Sequence, residues 1–206
     1  NGEKFEKAVD ELRKTYNFGK WIRLREKPTE YGGRTLRQLE DGGFEISMGR
    51  YLRDKGREIR LERGRLKDKK ALATDAEITA MRGILGKMNW ASREGMPQGA
   101  GDASILSGTM PKPTVNDLSE ANAALRRMIQ NDVPIQIRPI PLADLRLLGF
   151  GDSSLGNAEG GKTQLAKMVC ATHAKILQGH EAPVSILTYK SHKSARAGSA
   201  TLLVEA

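Results

Sequence analysis

The stretch "LRLLGFGDSSLGNAEGGKTQLAKMVCATHAKIL", Leu145 to Leu177, decides between two folds. Its centre, "GNAEGGKT" from Gly156 to Thr163, matches the phosphate-binding pattern G-x-x-x-x-G-K-T letter for letter, and the apolar run before it reads as a buried strand. In a P-loop the segment after Thr163 must be a helix. Its N-terminus and the loop amides would then hold phosphate, with Lys162 and Thr163 reaching phosphate and magnesium. If the glycines instead serve chain reversal, "TQLAKMVCATHAKIL" is a strand folded back onto "LRLLGF". Its apolar residues satisfy both the helical and, loosely, the strand period.

The surroundings weigh against a P-loop. A P-loop fold needs further parallel strands after the loop, one ending in the aspartate that completes the metal site. The residues after Thr163 hold only two acids, Glu181 and Glu205, and no strand ending in Asp. Glycine is abundant, at 22 residues, so a chance match is not rare. On this reading Asp152, at the tip of "LRLLGFGD", displaces Lys162 as the residue of interest.

The segments upstream are mostly helical. "GEKFEKAVDELRKTYNF" spaces Phe5, Val9, Leu12 and Tyr16 as one amphipathic helix, with Asn17-Phe18-Gly19 as a C-cap. "TLRQLEDGGFEISM" reads as a hairpin turning at Asp41-Gly42-Gly43, and Ser47 caps a helix through "GRYLRDKGREI". The clearest helix is "LATDAEITAMRGILGKMNWASREG", capped by Thr74 or Asp75; Gly83 and Gly86 inside it suggest close packing on another helix. "MPQGAGDASILSG" reads as a short helix with irregular ends. A last helix, capped by Asn116 or Asp117, presents Leu118, Ala121, Leu125, Met128 and Ile129 on one face. From residue 133 the character changes to the extended "VPIQIRPIPL" and the alternating "APVSILTYKSH".

Composition narrows the function. The chain has 206 residues, a mean hydropathy of −0.50 and a formal net charge of +9. No run approaches the roughly 18 apolar residues of a membrane span, and the charged start lacks an apolar targeting core. An intracellular protein, cytoplasmic or nuclear, with no membrane partner is expected. The lack of an initiator Met suggests a start within a longer protein. A single cysteine, Cys170, excludes an internal disulfide and reads as a small buried core residue. The positive excess is concentrated early, where residues 1–100 hold 23 Lys and Arg against 16 Asp and Glu. It peaks between Arg50 and Lys70, making Arg50, Arg53, Arg57, Arg60, Arg63 and Arg65 candidates for contact with a phosphate backbone. The competing reading is a solvated helical face, with Asp54, Glu58, Glu62 and Asp68 interleaved at helical spacing.

Taken in order, the segments resemble the later part of a copia-type LTR retrotransposon Pol polyprotein, where reverse transcriptase passes into ribonuclease H. The likeness is carried by "FEKAVDELRKTYNF", "EYGGRTLRQLEDGGFEISMGRYLRD", "EITAMRGILGKMNWASREGMPQGAGDASILSG", "KPTVNDLSEANAALRRM", "LLGFGDSSLGNAEGGKTQ" and "TYKSHKSARAGSATLLVEA". Each piece is weakly specific, and their shared order and spacing make the resemblance. It implies an α+β fold: N-terminal helices with a β-hairpin, a helical connection, then an incomplete ribonuclease H-like mixed sheet. The expected divisions are a thumb-like segment at 1–72, a helical connection at 73–133, and the first half of a ribonuclease H-like domain at 134–206. It also implies that the strand Asp152 and the helix Glu205, in "GSATLLVEA" with Gly198 or Ser199 near its cap, are catalytic carboxylates. These would bind magnesium or manganese and cut RNA in an RNA–DNA hybrid in the intact parent. Partners would be the hybrid and the remainder of the polyprotein.

The departures are specific. No Tyr-x-Asp-Asp polymerase motif is present. Ser154 stands where a second acid usually follows the strand aspartate, Leu155 replaces an aromatic, and Ala200 takes the place of a serine. The chain given stops at Ala206, before the family's remaining acids. His173, His180 and His192 do not replace them. Such a site is expected to be inactive or nearly so. Two rivals remain, a non-catalytic nucleic-acid-binding module and a P-loop nucleotide-binding protein. A half sheet would leave a strand edge and apolar surface open.

Overall fold

A computed structural model describes residues 2–19, 21–25, 27–158 and 162–194, with the backbone alone for residues 155–158. The fold is α+β, with five α-helices and two antiparallel sheets among the described residues.

Helix α1 (Glu3–Thr15) opens the chain and ends in an extended Tyr16, short of the C-cap expected at Asn17-Phe18-Gly19. The first sheet has the order β1-β2-β3-β4, from β1 (Thr29–Tyr31), β2 (Arg34–Gln38), β3 (Phe44–Ser47) and β4 (Ile135–Ile137). The β2–β3 hairpin is the expected one. Gly42 takes a positive φ of 85°, and the Gly43 N–H donates to Oδ1 of Asp41 at 2.9 Å. Strand β1 was not expected. Its signal is the Gly32-Gly33 pair, which turns at φ 58° and 82° and sets Tyr31 opposite Arg34. Strand β4 pairs with β3, so the chain reaches past the boundary expected at 133/134 before the first sheet is complete.

Helix α2 (Gly49–Lys55) begins one residue later than a Ser47 cap predicts, although Ser47 Oγ still accepts from the Gly49 N–H. It also ends early, because Gly56 turns extended, with ψ 133°. Residues 57–64 are therefore a non-helical strap, and the helical spacing of Glu58 and Glu62 was misleading. A buried amide explains why the strap stays down. Asn122 Oδ1 accepts from the Ile59 N–H at 2.7 Å, and its Nδ2 donates to the Ile59 carbonyl at 2.9 Å. Ile59 itself is buried, which anchors the strap from the apolar side.

Helices α3 (Asp75–Glu94), α4 (Ala100–Gly108) and α5 (Val115–Gln130) form the core layer with α2. α3 starts with a capping box of Thr74 and Glu77. α5 starts with one of Thr114 and Asp117, so Asp117 is the third helical residue and not the cap. The irregular approach to α4 is a single 3₁₀ turn at Pro97–Gly99. The core is rich in methionine: Met48, Met81, Met88, Met96 and Met128 are buried with Leu52, Ile84, Leu118 and Leu125. These unbranched side chains fill the irregular gaps between four short helices. Gly83 and Gly86 do not serve helix contact, since a Cβ at either would meet nothing within 4 Å. The close approaches lie elsewhere. A Cβ at Gly49 would overlap the Asp132 carboxylate, and one at Gly99 would overlap the Met128 side chain.

The second sheet has the order β5-β6-β7, from β5 (Leu145–Ala158), β6 (Lys162–His173) and β7 (Val184–Lys193), all antiparallel. "TQLAKMVCATH" is thus strand, paired from Ala158↔Lys162 to Leu145↔His173, as the turn reading requires. The expected strand is cut short, because its last four residues, "AKIL", fall in a 3₁₀ turn at Ala174–Gln178. Thr163 is fully buried in that strand, and its carbonyl accepts from the Ser194 N–H at 2.8 Å. The P-loop reading fails here, because no helix N-terminus follows the motif to receive phosphate. Gln164 ties the sheet to the helices, its Nε2 donating to Ser104 Oγ at 2.9 Å and Ser191 Oγ at 2.7 Å. Among the described residues no strand pairs with the outer edge of β5, and Leu147 and Phe150 are exposed along it. No helix of the described residues is long and apolar enough to cross a membrane.

Candidate nucleic-acid interface and carboxylate site

The six candidate arginines divide into two groups. Arg50 pairs with Glu30 at 2.8 Å and with Asp54 at 3.5 Å. Arg53 reaches Asp132 at 3.2 Å, a carboxylate that also accepts from Ser47 Oγ. Arg65 is the most embedded: it donates to Glu77 at 2.8 Å and to the Leu72 carbonyl at 2.8 Å. That contact holds the Glu77 carboxyl below its usual range, chiefly through the Arg65 hydrogen bond and then through the Thr74 amide and hydroxyl, against the opposing effect of burial. These three arginines have structural work between elements, and their charge is answered by acids of the same chain.

Arg57, Arg60 and Arg63 are different. All three are exposed, and among the described residues none makes an ion pair. Arg57 donates only to the neighbouring Gly56 carbonyl. Glu58 of the same strap turns elsewhere, to Arg126 of α5. The strap therefore presents its cations outward on a backbone fixed at Ile59. Sequence spacing could not separate the two groups, because the ion pairs that occupy Arg53 and Arg65 cross the fold to Asp132 and Glu77.

Asp152 lies in the middle of β5, opposite Ala166 of β6, and not at a strand tip. Its side chain is exposed and accepts from the Ser153 N–H at 2.8 Å. Cross-strand partners share a sheet face, which puts Asp152 with Phe150, Met168, Tyr189 and Ser191. That face and the Pro97–Gly101 segment enclose a groove of about 470 Å³. Tyr189 is half-buried there, and its hydroxyl is pushed up to about 12, by burial first and then by the Glu94 charge. On the opposite face Lys167 stands directly across from Lys190. Both lysines, after burial, lower the tendency of His192 to take a proton. Cys170 is buried and its thiol is pushed up by burial, as a small core residue should be. His173 Nδ1 accepts from the Lys175 N–H at 3.1 Å and caps a 3₁₀ turn, a structural use.

Glu205 and the helix expected around it lie outside the described residues. Among the described residues no three His, Cys, Asp or Glu side chains are grouped to hold a metal ion. Asp152 alone supplies one carboxylate, so the described residues do not fit a magnesium or manganese site, and no hydrolytic step follows from them. No protein-family model, no characterised protein and no solved structure matches the chain.

Proposed function

We propose that this chain binds nucleic acid, with RNA–DNA hybrid as the favoured form, as a segment of a retrotransposon Pol polyprotein. The carrying observation is the strap at residues 57–63: three exposed arginines, without carboxylate partners among the described residues, on a backbone clamped to the core by Asn122. Cations held in place at low conformational cost neutralise phosphates and release counterions. The antiparallel order β5-β6-β7 is compatible with the resemblance to the start of a ribonuclease H-like sheet, and Asp152 sits on its first strand. On this reading RNA hydrolysis belongs to the intact parent, where Asp152 and Glu205 would join carboxylates from elsewhere to hold magnesium or manganese.

Anisotropy of a labelled RNA–DNA duplex, titrated across a salt series, tests the reading. Binding should fall steeply with salt. The triple variant Arg57→Ala, Arg60→Ala, Arg63→Ala should flatten the log–log slope by roughly one unit per lost phosphate contact. Arg53→Ala should leave the slope unchanged. Absence of binding by the parent chain at low salt would overturn the proposal.

A further inference from the structure

The segment from Arg13 to Lys27 combines two features that the strap lacks. Tyr16, Phe18 and Trp21 are three aromatic residues within six positions, in a chain that is only 5% aromatic, and each ring is about half exposed. Tyr16 and Phe18 are tilted at 59° with centroids 5.9 Å apart, and Phe18 and Trp21 meet edge to face, 5.3 Å apart at 81°. The Arg13 guanidinium lies over the Trp21 ring, 4.4 Å from its centroid. Around the rings the sequence is strongly basic, with Arg13, Lys14, Lys20, Arg23, Arg25 and Lys27 against Glu26 alone.

Exposed rings by themselves would suit many partners, and the charge selects among them. Arg13 and Arg23 have long, solvent-exposed contacts to Asp10 at 3.6 Å and Glu6 at 3.7 Å. Lys14, Arg25 and Lys27 are exposed, and among the described residues no carboxylate lies in ion-pair range of them. A protein partner covering the rings would have to desolvate or neutralise this cluster, and an uncompensated buried charge is strongly unfavourable. Phosphates neutralise it directly. Half-exposed rings beside cations offer stacking faces that only unstacked bases can use, because the bases of a duplex are already stacked inside.

We propose that Arg13, Lys14, Tyr16, Phe18, Trp21, Arg25 and Lys27 form a second nucleic-acid contact, a stacking platform for single-stranded DNA or RNA, with Phe18 and Trp21 taking bases and Lys14, Arg25 and Lys27 taking phosphates. It is separate from the arginine strap. A protein that holds hybrid on one surface and a single strand on another could follow a strand across the end of a duplex.

The test uses the full chain and a fluorescein-labelled oligothymidylate of about 15 nucleotides, a length within the range of known single-strand sites. The parent should bind with an affinity that falls with salt. Phe18→Ala and Trp21→Ala should each weaken binding by roughly tenfold, while Trp21→Phe should retain most of it. The strap variant lacking Arg57, Arg60 and Arg63 should bind the single strand within about twofold of the parent, which separates the two proposals. Circular dichroism establishes that each variant is folded. Three results would overturn the platform. The folded ring variants bind like the parent; binding is lost only in the strap variant; or sedimentation shows the parent self-associating through this face, with Trp21→Ala releasing monomers.

Discussion

Helices α1 and α5 both space apolar residues three and four apart, yet α5 buries seven of its sixteen residues and α1 buries none. The difference lies beyond the helices themselves. α5 meets α2, α3 and α4, and its apolar face closes a four-sided core. α1 lies beside the β2–β3 hairpin across a wide groove, with Phe5 and Leu12 open to solvent. The starts differ too: Thr114 and Asp117 satisfy each other's amides in a capping box, while α1 begins after Gly2 with no side-chain cap. Periodicity states which face a helix would bury, but whether anything covers that face is decided by the rest of the chain.

Truncation of matched leucines breaks the comparison most directly. Leu125 is buried among the core methionines, and Leu125→Ala should cost about 3 kcal/mol in urea unfolding. Leu12→Ala should cost less than about 0.5 kcal/mol, because no cavity forms where there is already water. Equal losses would mean that α1 is packed in solution and that its exposure here is wrong.

Asn122 tests whether α5 organises more than its own packing. Asn122→Ala leaves the Ile59 N–H and carbonyl without their partners and should cost about 2 kcal/mol. Hybrid binding should fall with it, since Arg57, Arg60 and Arg63 lose their fixed backbone. Unchanged stability would show that the strap is not clamped.

Much of this architecture was readable in advance. The core-facing residues of α3 and α5 follow from spacing, and the β2–β3 turn follows from Asp41-Gly42-Gly43. Strand identity for residues 162–173 came with the resemblance, which makes the glycines of "GNAEGGKT" a turn between two strands. What misled was local pattern without tertiary context. The acids between Arg50 and Lys70 have helical spacing, but Gly56 leaves the helix and Glu58 reaches Arg126 instead. Arg53 and Arg65 look like free cations until Asp132 and Glu77 arrive from distant positions. The platform at Tyr16, Phe18 and Trp21 was spelled in the sequence as aromatics among lysines and arginines, but it read as a helix end.

The capping boxes give a smaller and pH-dependent contrast. Thr114→Ala should cost about 1 kcal/mol, with no counterpart in α1. For α3, Glu77 joins the cap to Arg65, and its folded-state carboxyl sits below the usual range. Its contribution is therefore present above the ordinary glutamate range and is lost as pH falls through the lowered folded value. Comparing unfolding of the parent and Glu77→Gln from pH 7 downward should show the gap between them closing toward the acid end. A gap that stays constant with pH would mean the carboxylate charge contributes nothing.

The smallest effect concerns the glycines inside α3. Gly83 and Gly86 are exposed on a well-capped helix, and a Cβ at either position meets nothing within 4 Å. Neither needs a positive φ, so alanine fits the backbone as it stands. Gly83→Ala and Gly86→Ala should each raise stability by about 0.5–1 kcal/mol, because alanine has less unfolded-state freedom to lose. Gly49→Ala is the opposing control on α2, where the added methyl overlaps Asp132 and would expel its carboxylate from Ser47 and Arg53. If the α3 alanines destabilise instead, that face of α3 is covered in solution. The contrast between a helix that buries one face and a helix that buries no residue would then need redrawing for α3 as well as α1.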